Sequence, residues 1–103
     1  MTNTIVTRKE SEVFVQPPGD VVASTVPELR TSLRGALGEG VREMTIDLTH
    51  VQMIDSTGIG LLIAAHNSIR KLGGRLAVTH VSSDILELFR SMRIHQHFGI
   101  SGE

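Results

Sequence analysis

The chain has no cysteine, no tryptophan and no tyrosine, and phenylalanine occurs only at Phe14, Phe89 and Phe98. Without cysteine there is neither a disulfide framework nor a thiolate metal site. So few aromatic rings leave little on which bases or sugars could stack, which argues against nucleic-acid and carbohydrate binding. Neither sign of charge dominates. The formal net charge is -1, so no overall field draws the chain to nucleic acid or to an acidic membrane. No apolar run approaches the roughly 20 residues that span a bilayer. Met1-Thr2-Asn3-Thr4 lacks the basic and apolar regions of a signal peptide. The expectation is a cytoplasmic protein with no nucleic-acid and no membrane partner.

What is present describes an ordinary globular chain. Its 103 residues, 40% hydrophobic and 20% charged, suit a single domain over residues 1–103 that buries roughly 65% of its unfolded surface. Thr4-Ile5-Val6-Thr7 and Val13-Phe14-Val15-Gln16 read as strands at hairpin distance. Pro17-Pro18 interrupts the second, since proline cannot donate to a ladder, and Val21-Val22-Ala23 resumes extended structure briefly. Thr25-Val26-Pro27-Glu28 has capping-box spacing with proline in the first turn. Val26, Leu29, Leu33, Ala36 and Leu37 then repeat at helical spacing, with Gly38 or Gly40 as the stop. Met44 to Leu48 is a central strand, Ile59 to Leu72 a helix, and Arg75 to Thr79 another strand. Ser82 or Ser83 caps a last helix carrying Ile85, Leu88, Phe89 and Met92, and His95 to Ile100 is a short edge strand. Strands alternating with helices after an antiparallel start predict an α/β fold: a mixed four- to five-stranded sheet with helices packed on it.

The chain is organised around Met53-Ile54-Asp55-Ser56-Thr57-Gly58-Ile59-Gly60, which joins an apolar strand to an apolar helix. Asp, Ser and Thr cap helix starts through a side-chain oxygen. Gly58 and Gly60 leave the first turn without bulk, open to close approach by another molecule. At a 100° step, Leu61, Leu62, Ala65, Ile69 and Leu72 gather on the arc that should face the sheet, with Asn67, Ser68 and Lys71 opposite. Ile59 and Ile63 fall off the centre of that arc, beside His66 and Arg70. They either form an apolar partner surface rimmed by polar groups or pack beneath a neighbouring loop.

Ile54 to Gly60, preceded by the strand Thr45-Ile46-Asp47-Leu48, resembles the STAS-domain family of anti-sigma factor antagonists. Gly19-Asp20-Val21 sits where that family has a Gly-Glu-Leu-Asp turn, and Gly73-Gly74-Arg75-Leu76 resembles its helix-to-strand step. The likeness covers nearly the whole chain. It implies that Ser56 is phosphorylated by an anti-sigma factor that is itself a serine kinase. The unphosphorylated form would bind that kinase and free its target, and a serine phosphatase would restore it. Together with the helical projection, the partner-binding residues expected are Ile59, Ile63, His66 and Arg70 as contacts, Asp55 and Gly58 as shapers of the acceptor turn, Thr57 as a secondary hydroxyl, and Asp20 and Gly60 beside them. The chain departs from the family at Val22, where an Asp is common, at Pro17-Pro18, and in stopping near Ile100 before the family's last helix. The alternative is a scaffold relative whose Ser56 is never phosphorylated, a subunit of a transporter or of a stress-sensing assembly.

Catalytic readings fail on spacing. A nucleophile elbow wants glycine two residues before the serine, and Ile54 stands there. No histidine is placed by sequence near Ser56 to complete a triad. Aspartic proteases have one hydroxyl residue between Asp and Gly, not two. Gly58-Ile59-Gly60 lacks the Lys-Ser/Thr of a phosphate-binding loop. His95 and His97 share a strand face without a third ligand and read as solvated edge histidines. The chain reads as a binding protein, not an enzyme, with no metal and no cofactor.

Overall fold

The computed structural model describes residues 4–38, 40–93 and the backbone of 99–102. Five strands, β1 (Ile5–Lys9), β2 (Glu12–Gln16), β3 (Glu43–Asp47), β4 (Arg75–Val81) and β5 (Gly99–Gly102), alternate with three helices. The helices are α1 (Val26–Ala36) between β2 and β3, α2 (Ser56–Lys71) between β3 and β4, and α3 (Ser83–Ser91) between β4 and β5. The strands lie side by side in chain order. β1 is antiparallel to β2, and every later neighbour is parallel. Right-handed crossovers that all step the same way put all their helices on the same face of the sheet.

Burial follows from that arrangement. Val13, Val15, Met44, Ile46, Leu76 and Val78 are buried under the helices. The residues between them point the other way, so Phe14 remains 43% exposed. Each fully buried apolar side chain contributes about 1.5–3 kcal/mol, and the core continues through Leu29 and Leu33 of α1, Leu62 and Ile69 of α2, and Ile85 and Phe89 of α3. The expected mixed sheet with packed helices is the observed one, with β3 at its centre.

Several local expectations change. β1 runs on through Arg8 and Lys9, because an edge strand can carry charge outward. Thr25 does not form a capping box: its backbone is already helical, and no side-chain cap bond is made. Its hydroxyl instead donates to the Asp20 carbonyl at 2.7 Å and accepts from the Val22 N–H at 3.0 Å, tightening the turn before α1. Leu72 does not face the sheet and is 45% exposed. The helix ends at Lys71, so the 100° step no longer governs it. Of the expected strand at His95 to Ile100, residues 95–98 lie outside the described residues, as do His95 and His97 themselves.

A bulge shifts the register of β4 between Val78 and Val81, and His80 there has φ 56°. Simple alternation would send His80 into the core after Leu76 and Val78. The extra residue gives that place to Val81, which is buried, and leaves His80 exposed. Its Nδ1 lies 3.2 Å from Asp47 Oδ1. Burial opposes ionisation of Asp47, but donors from Thr49 and Gln16 outweigh it and hold the carboxyl below its usual range. Asp47 thereby ties down the start of the connection that leads to α2.

Candidate functional site

The β3–α2 connection ends in a short parallel pairing with the β2–α1 connection. Val21 and Ile54 form an isolated parallel bridge. The Val21 N–H donates to the Met53 carbonyl at 3.0 Å, and the Asp55 N–H donates to the Val21 carbonyl at 3.3 Å. Two carboxylates close this pairing at either end. Asp20 Oδ1 accepts from the N–H groups of Gln52 at 3.0 Å and Met53 at 3.1 Å. Asp55 Oδ1 accepts from the Gly58 N–H at 3.0 Å, and its Oδ2 from the Ala23 N–H at 2.9 Å.

Asp55 is therefore the N-cap of α2 and a tie to the preceding crossover at once. Its extended backbone turns its side chain back over the first turn. The N–H donors of Gly58 and then Ala23 stabilise the ionised form, and its carboxyl sits below the usual range. Because Asp55 takes the cap, the next residue is spared that task. Ser56 is exposed on the first turn of α2, and among the described residues its hydroxyl has no hydrogen-bond partner. Of the three cap candidates Asp55, Ser56 and Thr57, Asp55 makes the cap bond, and both hydroxyl residues are exposed.

The glycines divide. Gly58 is buried, and a Cβ there would meet the Val21 carbonyl oxygen at 2.3 Å. Its lack of bulk serves the chain's own packing, not the approach of a partner. Gly60 is exposed, with nothing within 4 Å of a Cβ built on it.

Besides Gly58, two more of the expected contact residues are inside. Ile59 is 2% and His66 8% exposed, whereas Ile63 is half-buried and Arg70 exposed. The reason is that α2 is the middle helix of three. Leu61 and Ala65 turn toward Leu33 of α1 and Leu37 just beyond its end. By the 100° step, Ile59, Ile63, His66 and Arg70 fall on the opposite flank, where the next crossover places α3. A helix flanked on both sides buries a wider arc than one lying alone on a sheet. The outward ridge instead carries Ser56, Gly60, Ala64, Asn67 and Lys71, all exposed. Met53, 59% exposed just before the cap, was not singled out by periodicity because it lies in a loop.

A family model described as the STAS domain matches residues 3–102. The anti-sigma-B factor antagonist of Bacillus subtilis is 29% identical over 87 residues, spanning 84% of this chain and 79% of that one. Among solved structures, a STAS-domain protein from Planctomyces limnophilus superposes with a TM-score of 0.88 at 20% identity, covering 99% of this chain and 92% of that one. The Bacillus protein SpoIIAA in its phosphorylated form superposes at 0.73 and 16% identity, covering 97% of this chain and 92% of that one. No described helix is long and apolar enough to cross a membrane. The strand order, the clamped strand-to-helix turn and a family match that runs almost from end to end agree: this chain belongs to the STAS domain family.

Proposed function

We propose that the chain is an anti-sigma factor antagonist whose binding is switched by phosphorylation of Ser56. One observation carries the reading: Ser56 presents an exposed, unengaged hydroxyl on a helix start whose capping is done by Asp55. A hydroxyl placed so can be modified without loss of any bond that holds the turn. The unphosphorylated form binds an anti-sigma factor that is also a serine kinase, and so frees that kinase's target. Phosphorylation ends the complex, and a serine phosphatase restores it. Thr57, Gly60 and the exposed Met53 flank the acceptor, with Ile63 and Arg70 on the rim of the contact, while Asp55 and Gly58 shape the turn beneath.

The electrostatics support a switch that leaves the fold in place. A phosphate on Ser56 adds about -1.5 to -2 charges beside the ionised Asp55. The helix dipole offsets ~0.3–1 kcal/mol of that at an exposed site. A partner surface seated on the ridge would meet like-charge repulsion and would have to desolvate a dianion, at a cost of several kcal/mol. Wild type, Ser56→Ala and Ser56→Asp used as baits in the native host test the reading. The expected result is one serine kinase captured by the first two and lost with the third. Equal capture of the same proteins by all three would refute control at Ser56 and leave a constitutive scaffold.

A further inference from the structure

We infer that Asp20 is a positioning residue for the acceptor turn: its carboxylate holds the segment before Ser56 in place, and its charge is not what a partner reads. The inference rests on Ser56 being the phosphoacceptor and concerns how that site is kept in shape. Oδ1 accepts two consecutive backbone N–H groups, from Gln52 and Met53, across the gap between the two crossovers. These bonds lie at the end of the short pairing farthest from the helix. The next rungs are Val21 N–H to Met53 O and Asp55 N–H to Val21 O, and the last is Ala23 N–H to Asp55 Oδ2. Without Asp20, the pairing is anchored only at its Asp55 end.

The local sequence explains why a side chain must do this work. Pro17 and Pro18 end β2 just upstream, so the chain leaves the sheet there without a ladder to guide it. The Thr25 hydroxyl then donates to the Asp20 carbonyl, so the backbone of Asp20 is itself fixed from the α1 side. Asp20 thus passes the position of the α1 start to residues 52–53. Gln52 and Met53 are exposed between the buried Val51 and Ile54, so their own side chains do not fix the path of the chain between those two anchors. An acceptor serine displaced by about 1 Å loses up to a hundredfold in reaction rate.

The geometry needs an acceptor oxygen, not a charge, and this separates the two roles. Asp20→Asn keeps a carbonyl oxygen able to take both N–H groups; Asp20→Ala removes it. Amide hydrogen exchange at Gln52, Met53 and Asp55 is measured on all three proteins, with exchange in β3 as the control for global folding. Phosphorylation is measured with the kinase that wild type captures. Protection of the three amides should survive in Asp20→Asn and fall at least tenfold in Asp20→Ala, with β3 unchanged in both. The phosphorylation kcat should stay within about threefold for Asn and drop about tenfold to a hundredfold for Ala, with KM little altered. If Asn is as defective as Ala in phosphorylation while its amides stay protected, the partner reads the charge and the inference is overturned. If Ala leaves the amides protected, it is overturned as well. Should wild type capture no kinase, the phosphoacceptor reading fails by itself, and the exchange data alone decide whether Asp20 is the clamp.

Discussion

The carbonyl oxygen of Val21 lies 2.3 Å from where a Cβ on Gly58 would stand, so the first turn of α2 and the β2–α1 connection fit only without a side chain there. Gly58→Ala should destabilise the fold by about 1–3 kcal/mol: the backbone clash outweighs the ~1 kcal/mol by which alanine favours a helix. Gly60→Ala, two residues on and facing open space, should stabilise by about 0.5–1 kcal/mol. Urea unfolding of the pair checks both signs. Equal and favourable shifts would mean that Val21 does not sit against Gly58.

Two helices are capped by side chains of different reach. Ser82 accepts one bond, from the Ile85 N–H at 3.2 Å. Removing it by Ser82→Ala should cost about 1 kcal/mol. Asp55→Ala breaks bonds to two separate segments, at Gly58 and Ala23, so its urea midpoint should fall further than that of Ser82→Ala. The exchange of the Ala23 amide should also rise, which no simple cap would cause.

Ile59→Ala should behave as a core truncation. With the side chain 2% exposed, the loss is about 2–5 kcal/mol. Affinity for the captured kinase, measured at a temperature where the variant remains folded, should change less than tenfold. Met53→Ala, at 59% exposure, should do the reverse: stability within about 0.5 kcal/mol, affinity reduced. An Ile59 variant that folds normally yet loses its partner would put that residue at the surface.

Among the described residues, three carboxylates lie below their ordinary range: Glu43 through its bond to Arg75, Asp55 through the Gly58 and Ala23 N–H groups, and Asp47 through donors that overcome its burial. A depressed folded-state value means that near pH 4 the unfolded chain binds protons the folded chain does not. The stability these groups contribute is complete above about pH 4–5 and drains away as the pH falls through the folded values. Urea midpoints taken from pH 7 down to pH 3 should therefore decline. Asp55→Asn should flatten the decline, its gap from wild type closing at the acid end. A gap of constant size across that range would contradict the assignment.

Much of this was readable from residue order alone. The strand-helix alternation, the breaks at Pro17-Pro18 and Gly73-Gly74, and the Asp-Ser-Thr-Gly turn each follow from local chemistry, and the parallel crossovers follow from them. What escaped was decided by neighbours distant in the chain. A helix lying alone on a sheet would leave Ile59 and His66 at the margin of its buried arc, whereas with helices on both flanks both residues are buried. Thr25 matched a capping box, but the Asp20 carbonyl competed for its hydroxyl. Gly58 looked like room for a visitor because Val21, 37 positions earlier, is invisible to a local window. Alternation along β4 would have buried His80, and only the bulge shows otherwise.

The five strands stand in the sheet in the order in which a ribosome would deliver them. No strand has to be threaded between two that are already paired. Each β-α-β unit adds its strand beside the one before it, so the order of the sheet allows growth at one border. The turn bearing Ser56 is clamped by residues 20–23, all upstream of it. The bonds that clamp the acceptor turn therefore all come from residues that precede β4 and β5 in the chain.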